Sequence, residues 1–123
     1  LSSYHSGSLS WHKSAACFSG AGVSDKKALF CYSANWAAPG RWGVELLTGN
    51  RRLILRPLEK LQIQQKGSIE TEAYSIDDSL DITFKPGLYR MLQAFLGDDR
   101  DGLCTVAEQA ENFKHYLKIA NYR

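Results

Sequence analysis

A chain of 123 residues with 44% hydrophobic and 23% charged side chains has the size and balance of one globular domain with a real core. Its net charge of +2 comes from scattered basic residues, which argues against the clustered basic face of a nucleic-acid binder. No apolar run nears the ~20 residues that a membrane-crossing helix needs.

The start, Leu1-Ser2-Ser3-Tyr4-His5, is polar and has no secretory signature, and it lacks an initiator Met, as a piece of a longer protein would. The three cysteines, Cys17, Cys31 and Cys104, are far apart and odd in number, so neither a disulfide framework nor zinc spacing fits. Cys17 and Cys31 fall among apolar strand residues, where a buried thiol acts as a small hydrophobe. A cytoplasmic location is the expectation.

In chain order, residues 1–10 are rich in Ser and Gly and are expected to be irregular. Residues 14–19 form the first expected strand, with Ala15, Cys17 and Val23 of one parity. Gly20-Ala21-Gly22 and Ser24-Asp25-Lys26-Lys27 follow as a polar hairpin loop. Residues 28–36 alternate cleanly. Ala28, Phe30, Tyr32, Ala34 and Trp36 share one face, and Leu29, Cys31, Ser33 and Asn35 share the other; this period of two is a strand signal. Pro39-Gly40 breaks the chain as a hairpin turn bracketed by Trp36, Arg41 and Trp42.

Residues 42–48 alternate again, Gly49-Asn50 is a tight-turn dipeptide, and residues 52–56 make the next strand, closed by Pro57. Residues 61–65 alternate, Lys66-Gly67-Ser68 turns the chain, and residues 69–74 form a weaker last strand. The period then changes. Pro86-Gly87 opens a helix whose Leu88, Met91, Leu92, Phe95 and Leu96 lie on one stripe, with Gly97 at its end. Thr105-Val106-Ala107-Glu108 is a capping box, and Val106, Ala110, Phe113 and Leu117 recur at helical spacing behind it. Lys114, Lys118 and Arg123 fall late, where cations favour the helix dipole.

Strands first and helices last imply an α+β fold: an open antiparallel meander of five to six strands with the two C-terminal helices on one face. Two helices cover only one face. Leu29 or Phe30, Leu46 or Leu47, and Ile54 or Leu55, depending on register, populate the other, and a partner is expected there.

Several motifs invite chemistry and are better explained without it. Gly20-Ala21-Gly22 resembles the start of a dinucleotide fingerprint, but Asp25 stands where the third glycine belongs and a strand follows instead of a helix. Glu59-Lys60 would be a proton-relay pair in a cleft, yet its place after Pro57 reads as a solvated turn. Asp99, Asp101, Gly102 and Glu108 match the third, fifth, sixth and twelfth positions of a calcium loop, but the first ligand position is Gly97 and Glu108 is taken by its cap. His5, His12 and His115 share no metal-ligand spacing.

Trp11, His12, Trp36, Arg41 and Trp42 are the candidate binding residues, since indole faces with a guanidinium suit sugar-like or anionic ligands. The competing account is that the tryptophans pack a sheet edge or a dimer contact. No Ser/His/Asp set can be assembled, so no catalytic residue is assigned.

Trp36-Ala37-Ala38-Pro39-Gly40-Arg41-Trp42 with Glu45-Leu46-Leu47-Thr48, then Arg56-Pro57-Leu58-Glu59-Lys60-Leu61, Lys85-Pro86-Gly87-Leu88-Tyr89 with Phe95-Leu96, and the 105–117 helix together carry a family likeness. In their order, the chain resembles the C-terminal domain of the Gfo/Idh/MocA oxidoreductases, the glucose-fructose oxidoreductase and inositol dehydrogenase relatives. The resemblance implies an N-terminal Rossmann domain binding NAD or NADP, absent from this chain, and hydride transfer on a sugar or cyclitol. It also implies an open sheet with helices on one face and a homo-oligomer contact on the other. The sequence departs from the family where chemistry resides. Glu59-Lys60 is followed by Leu61 where the family has Pro, and Ser8 stands four residues before His12 where the family has Asp. The resemblance therefore implies a substrate-side and oligomerisation domain without cofactor site, metal or activity of its own. The alternative is a free-standing dimerisation or small-ligand-binding module.

Overall fold

The computed structural model describes residues 1–97 and 102–122. It is an α+β structure of two antiparallel sheets and three helices, divided into two compact units: Leu1–Pro39 with Cys104–Arg123, and Gly40–Leu103.

In the first unit, β1 (Ser2–Ser6), β2 (Cys17–Val23) and β3 (Leu29–Asn35) pair in sequence order. α3 (Val106–Ala120) lies against β1 and β2. The register sorts the faces as the alternation of residues 28–36 requires. Ser3, Gly20 and Tyr32 share one row, and His5, Phe18 and Ala34 another. These rows face α3: the His5 ring meets Phe18 edge-on at 5.6 Å, and its Nε2–H donates to the Ile119 carbonyl at 2.8 Å. The opposite face mixes Ser2, Tyr4, Ser6, Ser19, Ser33 and Asn35 with Cys17, Ala21, Val23, Leu29 and Cys31, and its Val23 and Leu29 are exposed.

Two sequence expectations change here. Residues 1–10 are not irregular throughout, because Ser2–Ser6 forms an edge strand. Gly20-Ala21-Gly22 is not a hairpin loop but the interior of the central strand. Its glycines answer to the neighbouring strand. A Cβ on Gly20 would collide with the Ser2 carbonyl and the Tyr32 hydroxyl, and one on Gly22 with the Phe30 ring at 2.6 Å. The bare backbone lets Tyr32 cross over to bond Ser3 Oγ at 2.6 Å. Gly20→Val is expected to push Tyr32 off its row and cost about 2 kcal/mol by overpacking. Urea denaturation of the variant beside Tyr32→Phe, which keeps the ring, measures this.

Cys31 likewise departs from the buried thiol expected of it. It is exposed on the outer face, while Cys17 is half-buried.

In the second unit, β4 (Val44–Leu47), β5 (Arg51–Leu55), β6 (Leu61–Gln65) and β7 (Glu72–Tyr74) form a four-stranded meander in sequence order. The register places Val44, Leu55, Leu61 and Tyr74 in one row and Leu46, Leu53, Ile63 and Glu72 in the next, so one face is apolar. Of the alternatives left by sequence, Leu46 and Leu55 fall on that face, and Leu47 and Ile54 on the other. Glu45, Gln62 and Gln64 also occupy the second face, where Arg52 pairs with Glu45. The 49–50 turn is closed by Thr48, whose N–H and hydroxyl both reach the Arg51 carbonyl. The Arg56–Pro57 peptide is cis.

Pro39-Gly40 does not close a hairpin. β3 and β4 belong to different sheets, and this dipeptide is where one unit ends and the other begins. The next-neighbour order of the meander holds within each sheet, with seven strands among the described residues in place of five or six.

α1 (Ser79–Thr83), a five-residue helix with no counterpart in the sequence reading, precedes α2 (Leu88–Leu96). Gly87, at φ +74°, supplies the left-handed turn between them, and the Phe84 and Tyr89 rings stack at 4.7 Å. Among the described residues, α2 packs on α1 and not on a strand, so α3 alone covers a sheet. Its stripe of Leu88, Met91, Leu92, Phe95 and Leu96 is exposed.

The capping box at the start of α3 is complete. Glu108 N–H donates to Thr105 Oγ1 at 3.2 Å, and the Thr105 N–H reaches Glu108 Oε2 at 2.8 Å. The Thr105 backbone N–H, then its hydroxyl, hold the Glu108 carboxyl below its ordinary value of 4.5. A carboxylate lowered by folding stabilises fully above its unfolded value, and the contribution disappears as pH falls through the lower folded one. Acidification below about pH 4.5 is therefore expected to reduce helicity more in the parent chain than in Glu108→Gln, which caps without titrating. Circular dichroism at 222 nm across pH 2–6 is the comparison (a range set by the carboxylates involved, roughly 4 to 4.5). Of the calcium-loop reading, Asp99 and Asp101 lie outside the described residues.

Candidate functional site

The loop between β1 and β2 builds the site. A narrow turn pairs Leu9 with His12 and leaves Trp11 exposed at its tip. Behind it the chain turns inward: Ser14, Ala15 and Ala16 are, besides Gly20, the buried residues described in this unit. Small side chains suit that place, since Ala16 packs where Gly7, at φ +71°, leaves room: a Cβ on Gly7 would stand 3.1 Å from that of Ala16. Ala16 N–H donates to the Ser6 carbonyl at 3.1 Å, and its carbonyl accepts the Trp36 N–H at 2.9 Å. The buried loop thus fixes where the chain leaves β3 and where Trp36 stands.

The C-terminal end of α3 supplies the remaining wall. Asn121 takes the left-handed conformation at φ +57°, ψ +36°, and the Tyr122 N–H reaches back to the Leu117 carbonyl at 3.0 Å. This is Schellman geometry, and it reverses the chain. Ser14 Oγ donates to the Ala120 carbonyl, tying the loop to the helix end. Tyr122 returns over the loop until its hydroxyl lies 3.2 Å from His12 Nε2, with the two rings 5.7 Å apart; on its other side His12 is 5.6 Å from Trp11.

The hydrogen bonds assign the His12 tautomer. Ser14 N–H donates to Nδ1 at 3.1 Å, so the neutral ring carries its proton on Nε2 and donates it to the Tyr122 oxygen. Tyr122 accepts there and keeps its own hydroxyl hydrogen to offer.

Leu9, Trp11, His12, Ser14, Phe18, Trp36, Ala120 and Tyr122 enclose a cleft of about 280 Å³, all within the first unit. Its lining is mainly apolar, and among the described residues it bears no carboxylate, ammonium or guanidinium. Ser14 and His12 are not set as nucleophile and base: the imidazole meets the Ser14 backbone N–H, and the hydroxyl gives its hydrogen to Ala120.

Of the five residues singled out from sequence, Trp11, His12 and Trp36 come together here. Arg41 and Trp42 belong to the second unit, where both are exposed. Sequence reasoning missed Leu9, Ser14, Phe18, Ala120 and Tyr122. The available signal was Asn121, a residue that tolerates the left-handed turn, placed directly after the helical repeat. Glu59-Lys60 lies in an exposed turn, where Lys60 Nζ meets Asp78 Oδ2 at 3.2 Å. Among the described residues no group of three His, Cys, Asp or Glu is placed to hold a metal, and no helix is long and apolar enough to cross a membrane.

Comparison with protein-family models, curated proteins and solved structures finds no match to this chain.

Proposed function

We propose that this chain is a small-ligand-binding module whose site is the aromatic cleft of the first unit. The convergence of Trp11, His12 and Trp36 with Tyr122, residues separated by up to 111 positions, carries the reading. Apolar walls with a few oriented polar groups are the usual make-up of a small-molecule site. The test is a titration of intrinsic fluorescence in a Trp42→Phe chain, in which Trp11 and Trp36 report. A saturable spectral change with a sugar or an aromatic compound, abolished by Trp11→Ala, supports the reading; no saturable change with either class overturns it.

The second reading is the substrate-side and oligomerisation domain of an NAD(P)-dependent sugar or cyclitol oxidoreductase, in a cytoplasmic setting. One observation favours it: the apolar face of the β4–β7 meander, with Val44, Leu46 and Tyr74 exposed and neither α1 nor α2 packed on it. Such a face suits a second copy of the chain. Gly20-Ala21-Gly22 is not built as a dinucleotide loop. Gly20 and Ala21 are paired on both sides, so their backbone groups serve the ladder, and no helix N-terminus follows Gly22. NAD or NADP in this reading belongs to a separate Rossmann domain. A reading frame upstream of Leu1 encoding strand, Gly-rich turn and helix would support it, and a strict monomer in light scattering at high concentration would count against the sheet contact.

A further inference from the structure

We infer that the aromatic cleft selects a neutral, planar heteroaromatic ring with a hydrogen-bond acceptor on its edge. This rests on the ligand-binding reading above and narrows it to one chemical class.

The walls decide the shape and the polar inventory decides the chemistry. Phe18, the two tryptophans and Tyr122 offer flat apolar surface, which a planar ring covers with little conformational cost. About 280 Å³ suits one ring system of one or two fused rings, being at the small end of ligand cavities. The polar groups are mostly committed within the protein. Ser14 Oγ serves Ala120, His12 Nδ1 serves Ser14, and His12 Nε2–H serves Tyr122. What Tyr122 and Trp11 have to offer a ligand is hydrogens, the phenolic O–H and the indole N–H, and an indole nitrogen never accepts. A ligand acceptor answers both of these donors, while the acceptor lone pairs of Ser14 Oγ and the Tyr122 oxygen stay secondary.

A saccharide meets this inventory poorly. Each hydroxyl that enters brings a hydrogen of its own, for which the described side chains leave lone pairs of Ser14 Oγ and the Tyr122 oxygen, and a puckered ring covers the flat aromatic walls less fully than a planar one. A cation fares no better. Aromatic walls do attract ammonium groups, but among the described residues no carboxylate lines the cleft, while Lys13 follows His12 and Lys118 stands in the last turn of α3. A dianion finds no guanidinium or ammonium among the described lining residues.

The experiment uses four probes on the full chain: quinoline, naphthalene, methyl glucoside and choline. Binding is followed by saturation-transfer NMR and by the Trp11 indole N–H resonance, assigned by its loss in Trp11→Phe. Quinoline is expected to bind best, about fivefold tighter than naphthalene, the difference one neutral hydrogen bond provides. Tyr122→Phe keeps the ring and is expected to remove that difference while leaving naphthalene unchanged, with the dichroism spectrum of the parent. Methyl glucoside or choline binding more tightly than quinoline would overturn the heteroaromatic assignment and leave a binding module standing. Equal affinity for quinoline and naphthalene in both chains would overturn the acceptor requirement. Silence of all four probes would overturn the binding reading and this inference with it.

Discussion

Ile63→Asp is expected to unfold the four-stranded sheet. Ile63 lies on β6, an interior strand paired with β5 on one side and β7 on the other. At 8% exposure it is the one buried hydrophobic residue described in the second unit, seated in the row of Leu46, Leu53 and Glu72 with Leu55 and Leu61 in the adjoining row. Those neighbours are half-buried or exposed, so the apolar face has a narrow centre and Ile63 occupies it. Truncation to Ala removes its transfer free energy and leaves a partly collapsible gap, about 2 kcal/mol. A carboxylate at the same place meets no cation on its row and adds the cost of an unpaired charge, for a total of roughly 4 kcal/mol. Gln62 is the control. It neighbours Ile63 but faces the polar side, between Ile54 and Ala73, and Gln62→Asp is expected to stay within about 0.5 kcal/mol. Urea denaturation followed by far-ultraviolet dichroism compares them. Equal midpoints for the two aspartate variants would mean that the apolar face does not stabilise the sheet.

The contrast between Ile63 and Gln62 shows what a sequence of this kind discloses. β6 is legible to the residue, Leu61–Gln65, because a half-buried strand imposes strict alternation. The capping box of α3 is legible because it is local: Thr105 and Glu108 satisfy each other's backbone within one turn. β1 is not legible. Ser2, Ser3, His5 and Ser6 carry no strand signal of their own, and pairing with β2 makes the strand, so tertiary context overrides composition.

Gly20-Ala21-Gly22 reads as a loop because glycine commonly turns a chain. Here glycine is needed because Tyr32 and Phe30 cross the sheet above it, a fact that resides in another strand. Pro39-Gly40 is a genuine break, but whether a break closes a hairpin or separates two units depends on pairing partners that local residues do not name. The site divides the same way. Trp11, His12 and Trp36 were visible as residue types, while Tyr122 reaches His12 from 110 positions away by a left-handed turn at Asn121. Arg41, adjacent to this set in sequence, falls in the other unit because the chain changes sheet just before it.

Ala16→Leu is expected to damage the first unit and its cleft together. Ala16 is the most buried hydrophobic residue described, at 4% exposure, and both of its backbone groups are committed: N–H to Ser6 and carbonyl to Trp36. Its Cβ already lies against Gly7, where a Cβ on that glycine would stand 3.1 Å away. Three added carbons therefore have to displace backbone, at about 3 kcal/mol, the upper part of the range for overpacked cores. The displacement falls on the two contacts that position the cleft walls. Shifting the 14–16 segment lengthens Trp36 N–H to Ala16 and loosens Ser14 from Ala120, on which the approach of Tyr122 to His12 depends. Ser14→Ala separates the two effects. It removes only the hydroxyl tie and is expected to cost about 1 kcal/mol, with the Ala16 contacts kept. In a Trp42→Phe background, Ala16→Leu should shift the emission of Trp11 and Trp36 to longer wavelength under conditions where the chain remains folded, and Ser14→Ala should do so much less. A Leu at position 16 that leaves both the denaturation midpoint and the tryptophan emission unchanged would show that the loop does not hold the cleft in place.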